Sequence, residues 1–301
     1  MAGDDHRAAL AALPPGRVAA LSEPADGPGL RRLAGHLGLL ALTGAAVLAL
    51  PGAWALPAML AHGVVLIFLF APLHECIHRT AFRTRRLNDA VAAVAGFLLL
   101  LPPAAFRYYH FAHHRHTQDP DRDPELATPK PATRAAYLAR LTGWSTWTAQ
   151  AGALFGAALG RPLPDHVPPR GAATVRREAR LCLALYAAVA GGSLAAGSTL
   201  ALELWVVPAL LGQPVLRAYL LAEHTACPLV PDMLANTRTT FTHRAIRWLA
   251  WEMPWHTAHH VAPTVPFHRL PDLSAEIEDR LKSTARGYPE AHRQILAALP
   301  R

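Results

Sequence analysis

The chain has 301 residues, room for one large domain or two ordinary ones; 52% are hydrophobic and 17% charged, with a mean hydropathy of +0.17. That is more apolar than an average soluble domain, and the excess is gathered in blocks. The net charge of +8 comes almost wholly from arginine, with Lys130 and Lys282 the only lysines, and three scattered cysteines (Cys76, Cys182, Cys227) argue against a disulfide framework or a zinc ribbon.

The first thirty residues are polar, carry Pro14, Pro15, Pro24 and Pro28, and hold no hydrophobic segment ahead of a cleavage site. Residues 1–30 are therefore expected to form a flexible tail, residues 31–280 a membrane domain, and residues 281–301 a C-terminal tail. A helix needs about 20 apolar residues to cross a bilayer. Leu33 to Leu50 supplies such a run, and Pro51-Gly52 ends it. Trp54 to Leu73 supplies a second and ends at His74. The two read as a helical hairpin, with Gly35, Gly38 and Gly44 suited to close helix packing. Ala90 to Leu101 is apolar but too short to span, and Pro102-Pro103 ends it, so an interfacial or re-entrant segment is expected there. Ala135 to Leu159 mixes Trp144, Trp147 and Leu154 with polar residues, as a helix at headgroup level would. Leu181 to Leu200, loosened by Gly191-Gly192, and Leu204 to Leu221, kinked by Pro208 and Pro214, form a second hairpin turning near Glu203.

Charge supports this topology. Neither far-side loop, near Gly52 or near Ser198, contains a Lys or Arg, and all 29 basic residues lie in the terminal and central segments or, as Arg217, inside the last apolar run. The positive-inside rule then places both termini and the centre in the cytoplasm. The expected architecture is all-α and integral to the membrane: four transmembrane helices as two hairpins, under a cytoplasmic helical cap holding a di-metal site. The membrane account of the charge leaves no nucleic-acid partner to invoke.

Histidine carries the chemistry. His74 and His78 are four residues apart and face the same way on a helix. His110, His113 and His114 combine three- and four-residue spacings, as do His256, His259 and His260, so each trio can serve two adjacent ions from one turn. His224 follows the fourth span as His74 follows the second. Imidazole is the commonest side-chain ligand for iron and zinc, and nine are too many for one ion. The bland alternative, polar residues at an interface, suffices for His6, His166, His243, His268 and His292. His36 and His62 lie inside spans and are expected to hydrogen-bond a neighbouring helix. His116 is close to the second trio but off its pattern. The run Asp119 to Glu125 is a proline-aspartate turn by default. Its functional reading is a set of carboxylates that accept the free N–H of ligating imidazoles, and Glu75 and Glu223 are candidates for the same task. Cys76 and Cys227 are expected to be buried small residues.

At these residues the sequence resembles the membrane fatty acid desaturase and hydroxylase superfamily. Its three histidine boxes, HxxxH, HxxHH and HxxHH, correspond to His74-Glu75-Cys76-Ile77-His78, His110-Phe111-Ala112-His113-His114 and His256-Thr257-Ala258-His259-His260. The likeness covers about Leu33 to Leu273, and His224 matches the additional family histidine. Many members carry an Asn four residues before it, where this chain has Leu220. Glu223-His224 looks more like the alkane-hydroxylase branch. Thr117 to Leu126 and Trp255 to Pro271 resemble bacterial desaturase-like proteins of unsettled substrate. The resemblance implies two ferrous ions on the nine histidines, O2 as co-substrate, and an apolar substrate such as a lipid acyl chain. With no cytochrome b5-like segment, electrons would come from a separate ferredoxin, cytochrome or reductase. The implied location is the cell inner membrane.

Desaturation is the leading expectation, and hydroxylation or ketolation of a lipid, alkane, carotenoid or small molecule is the alternative. A remoter one is an intramembrane zinc protease, because His74-Glu75-x-x-His78 also satisfies HExxH with Glu75 as base. Such a zinc needs three protein ligands, leaving six histidines without a task. A transporter is disfavoured because the histidines lie outside the spans rather than at the midplane.

Overall fold

The computed structural model describes residues 5–300. The first four residues of the expected N-terminal tail, and Arg301 of the expected C-terminal one, lie outside them. Sixteen α-helices and two short strands occur among the described residues. In chain order they begin with α1 (Asp5–Ala11), α2 (Arg17–Leu21), α3 (Asp26–Ala49), α4 (Ala55–Ile67) and α5 (Phe70–His78). Next come α6 (Arg85–Leu98), α7 (Pro103–His116), α8 (Arg134–Leu141), α9 (Trp144–Ala158), α10 (Pro169–Ala195) and α11 (Val207–His224). The last part contains α12 (Met233–Asn236), β1 (Thr239–Phe241), α13 (Arg244–Leu249), α14 (His256–Val261), α15 (Leu270–Glu276), β2 (Thr284–Arg286) and α16 (Tyr288–Ala297).

Four stretches are long and apolar enough to cross a membrane: Asp26–Ala49, Gly52–His78, Pro169–Ala195 and Leu202–His224. The inner one is Gly52–His78, 56% buried over its most apolar window, against 17% for α3 and 11% for α10, whose faces are left open around the bundle. The principal partner of α4 is α11, with α3 next to it, while α10 lies on α9 and α7. At the α4–α11 crossing the backbones touch. A Cβ on Gly63 would stand 2.0 Å from the Pro208 carbonyl oxygen, and one on Gly212 would stand 2.2 Å from that of Gly63. Gly35 and Gly44 also face neighbours, Trp248 and His62, but Gly38 has nothing within 4 Å.

Prolines shape the inner pair. Pro72 has no N–H for the Phe68 carbonyl, and the helix breaks into a tight turn at Phe68–Leu69. There the Leu69 N–H turns to Leu66, freeing the Val65 carbonyl, which accepts from His36 Nε2–H at 2.9 Å. Pro208 likewise follows a π-helical turn, Leu202–Val206, and the carbonyl of Leu204 accepts from His62 Nε2–H at 3.0 Å. Both interior histidines thus serve neighbouring helices that proline has interrupted.

The α6–α7 pair is bent by 97° at Leu99–Pro102, consistent with the short apolar segment expected there. The helix expected over Ala135 to Leu159 is instead two, because Gly143 adopts φ +72 and lets Gln213 pack where a side chain would stand.

The C-terminal quarter packs over one end of the bundle. Arg32 of α3 donates to the Trp248 carbonyl at 2.7 Å and to Glu252 at 3.2 Å, fixing the chain just ahead of α14. The strands, parallel with Thr239 opposite Thr284, are the departure from an all-helical chain, and α16 follows them onto α11. Within the N-terminal segment, α1 packs on α12 and α14, and α2 packs on α15, with Ala9 and Leu21 buried.

Candidate metal centre

Four segments deliver imidazoles to one place. Helix α5 carries His74 and His78, α7 carries His110, His113 and His114, the end of α11 carries His224, and α14 carries His256, His259 and His260. Among the described residues they form two groups whose ligand atoms lie within 4.8 Å of one another: His74, His78, His110, His114 and His259; and His113, His224 and His260. His256 joins the edge of the second, its Nε2 standing 3.1 Å from those of His224 and His260. The groups abut, for His114 of one stacks on His260 of the other with ring centroids 4.2 Å apart. Helical spacing explains the partition. Residues four apart, such as His110 and His114, stay on one face, while the odd member of each trio turns to the other group.

Hydrogen-bond partners decide which nitrogen is bare. His113 Nδ1–H donates to Asp123 at 2.9 Å, and Asp123 is itself fixed by the N–H groups of Gln118 and Glu125. His224 Nδ1–H donates to the carbonyl of Asn236 at 3.1 Å. The Thr117 hydroxyl spends its proton on the His113 carbonyl at 2.8 Å, so it accepts from His260 Nδ1–H at 3.2 Å. Each Nε2 of this group then presents a lone pair inward, with His113 and His224 facing at 3.2 Å. Two such lone pairs cannot hydrogen-bond each other; a cation between them removes the conflict. In the first group, Nε2 of His110 lies 2.7 Å from that of His74 and 2.9 Å from that of His114, which is 3.0 Å from that of His259.

These separations match a coordination shell. Two nitrogens bound at right angles, each about 2.1 Å from one cation, stand about 3.0 Å apart. Protonation also suits a metal: burial, followed by the charge of neighbouring imidazoles, holds His256, His259 and His260 well below the ordinary histidine range. They are neutral ligands at neutral pH. Nδ1 of His74, His114 and His259 in the first group, and of His256 at the edge of the second, is buried without a partner among the described residues, so these rings lack the outer hydrogen bonds that orient His113, His224 and His260.

The sequence matches the family model described as "Fatty acid desaturase" over residues 32–292. The chain belongs to the fatty acid desaturase family. It is 32% identical over 101 residues to an sn-1 oleoyl-lipid 12-desaturase of Picosynechococcus sp., covering 31% of this chain and 29% of that one. It is also 32% identical over 80 residues to an acyl-lipid (9+3)-(E)-desaturase of Dimorphotheca sinuata, covering 27% and 21% of the two chains. A Delta(12)-acyl-lipid-desaturase of Punica granatum is 32% identical over 90 residues, covering 30% and 22%. The match thus spans less than a third of the length of each of these relatives.

In this fatty acid desaturase family member the acidic run divides. Asp123 supports His113, and Glu125 reaches it at 3.4 Å. Burial alone would raise the Glu125 carboxyl, but Lys130 and the nearby imidazoles of His113 and His224 hold it well below the usual carboxylate range. Asp119 instead pairs with Arg122 on the surface and makes the turn. Glu223 approaches His256 Nδ1 at 3.5 Å. Glu75 stays 3.9 Å from His74 Nδ1 and uses its other oxygen to accept from Thr80 and the Phe267 N–H, tying α5 to the chain before α15. His116 is partly buried and outside both groups. The three cysteines are buried and free. Leu220, at the family asparagine's position, packs against the hydrophobic core. Thr117 and Asn236 are partners that sequence reasoning missed. Thr117 had a signal, lying one helical turn past His113; the backbone carbonyl of Asn236 had none.

Proposed function

We propose that the chain is a membrane-bound, O2-dependent di-iron oxidoreductase that desaturates a lipid acyl chain. The observation that carries this reading is the gathering of nine imidazoles into two abutting groups in a member of the fatty acid desaturase family. Under it, His74, His78, His110, His114 and His259 hold one iron, and His113, His224, His256 and His260 the other. The four long helices span the cell inner membrane as two hairpins, with both termini and the helical cap in the cytoplasm. That topology is supported by the absence of Lys and Arg from the turns near Gly52 and Ser198. A separate ferredoxin, cytochrome or reductase supplies electrons. The names of the acyl-lipid relatives favour desaturation over hydroxylation.

When bound, two ferrous ions supply the redox capacity to use O2 against an unactivated C–H bond, which no side chain possesses. The protein's own part is orientation and exclusion. Asp123, Thr117 and the Asn236 carbonyl hold three rings with Nε2 turned inward. Phe70 stacks on His74 at 6.1 Å and Phe106 lies 5.5 Å from His110, closing the bundle side of the first group with apolar surface that limits water. The five imidazoles of the group that contains His74 and His78 exceed the three protein ligands of a catalytic zinc.

Metal analysis of the full chain, purified in detergent, tests the reading together with lipid profiling of cells with and without the gene under oxygen. About two irons per chain and an oxygen-dependent unsaturated acyl product are expected. His113→Ala and His260→Ala should each abolish product while leaving membrane insertion intact. One zinc per chain, or full turnover in either variant, overturns it.

A further inference from the structure

Residues 129–132 and helices α8 and α9 line an open cleft of about 540 Å³. Its walls are prolines and alanines between Pro129 and Ala139, and its charges are Lys130 and Arg140. Lys130 is spent on Glu125, which borders His113, so the cleft adjoins the second imidazole group. Among the described residues no carboxylate pairs with Arg140. Behind it, outside the lining of the cleft, lies Arg217 of α11, whose charge is offset by the carboxylates of Glu125 and Glu223. Among the described residues that guanidinium donates to the Thr146 hydroxyl, at 3.4 Å, and its Nε is buried without a partner. Arg140 is therefore the cation of this cleft left without a carboxylate, and an anion from outside would complete it. At the rim, Trp144 and Leu138 are 69% and 62% exposed, as side chains at a headgroup boundary would be.

We propose that this cleft binds the anionic head of the lipid substrate, a phosphate or carboxylate, with Arg140 as its direct partner. The assignment rests on the reading of the chain as acting on a lipid. A free inorganic anion gains nothing from proline and alanine walls, whereas an amphiphile places its head on the arginine and apolar surface along the rest. Through Lys130 and Glu125 the cleft borders His113, so head recognition and metal chemistry are neighbours.

Binding is measured on the full chain in phosphatidylcholine nanodiscs doped with fluorescent phosphatidylglycerol or a fluorescent fatty acid, with inorganic phosphate as competitor. Arg140→Gln should weaken binding of the anionic lipid by about tenfold and leave the metal content unchanged. Ala139→Leu, which narrows the cleft and keeps both charges, should weaken it similarly and guards against misfolding of the first variant. Equal binding of anionic and zwitterionic lipid by wild type, or unchanged binding in both variants, overturns the proposal. Displacement of the lipid by millimolar phosphate overturns its lipid part. None of these readings needs turnover. A wild type that binds the lipid but forms no product therefore sinks the functional reading and leaves the cleft standing.

Discussion

Asp123 accepts the Nδ1 proton of His113 and is held in place by two backbone N–H groups; it thereby decides the tautomer of a ring whose other nitrogen faces His224. Thr117 does the same for His260 with a hydroxyl whose own proton is already committed. Losing such an outer partner typically costs 10- to 100-fold in metal affinity, so Asp123→Asn and Thr117→Val should each weaken metal retention by about that factor. The effect should fall on one of two metal equivalents, since His113 and His260 both belong to the second group. Competition of the loaded protein with a chelator, followed by metal counting, reads it: one equivalent leaves early in the variants and the other keeps its wild-type rate. Loss of both together, or of neither, counts against the assignment. Eight of the nine imidazoles were legible from spacing, because helical periodicity turns an i,i+4 pair into a shared face, and His224 from its place at the end of the fourth span. Which acidic residue would serve was not legible. Asp119, Asp121, Asp123 and Glu125 share one turn, and its path alone directs Asp123 inward while Asp119 pairs with Arg122.

At the scale of the helices, the four spans were readable as apolar runs, and the break in α4–α5 was implicit in Pro72. The crossing of α4 with α11 was not readable. Attention falls on the glycines of α3, yet Gly38 faces open space, whereas Gly63 and Gly212 bring two backbones into contact. A glycine in an apolar run reveals a close approach only once its partner helix is known. That crossing brings the end of the second span, with His74 and His78, and the end of the fourth, with His224, to the same metal centre. Gly63→Ala puts a methyl 2.0 Å from the Pro208 carbonyl oxygen, and rigid backbone cannot yield as a side chain would. A loss of about 1–3 kcal/mol or more is expected. Thermal unfolding in detergent should show a clear fall in Tm for Gly63→Ala and no fall for Gly38→Ala, where the added methyl is free and alanine is the better helix former. Equal melting of the two variants would remove the contact from the account of the fold.

For the whole molecule, charge placement was legible and burial of the ends was not. Polar composition conceals that α1 and α2 pack beneath the C-terminal quarter, because the apolar surface they cover belongs to residues more than two hundred positions later. What this packing encloses is a set of neutral imidazoles, and that has a consequence for stability. Burial and mutual repulsion hold His256, His259 and His260 well below their ordinary range. In the unfolded chain they titrate near 6.5. As pH falls below about 6.5 the unfolded state therefore takes up protons that the folded state refuses, and stability is lost toward acid. The slope approaches about 1.4 kcal/mol per pH unit for each such ring. A bound cation opposes this, since it occupies the same lone pairs and binds only the folded arrangement. Stripping the metal should lower Tm even at about pH 7.5, because lone pairs then face one another with nothing between them. Between about pH 7.5 and 5.5 the stripped protein should lose Tm steadily, while the loaded protein holds until protons displace the ion and then drops. A stripped protein that melts at one temperature across that range would show that these rings are protonated or exposed in the fold, and neither condition is compatible with a buried metal centre.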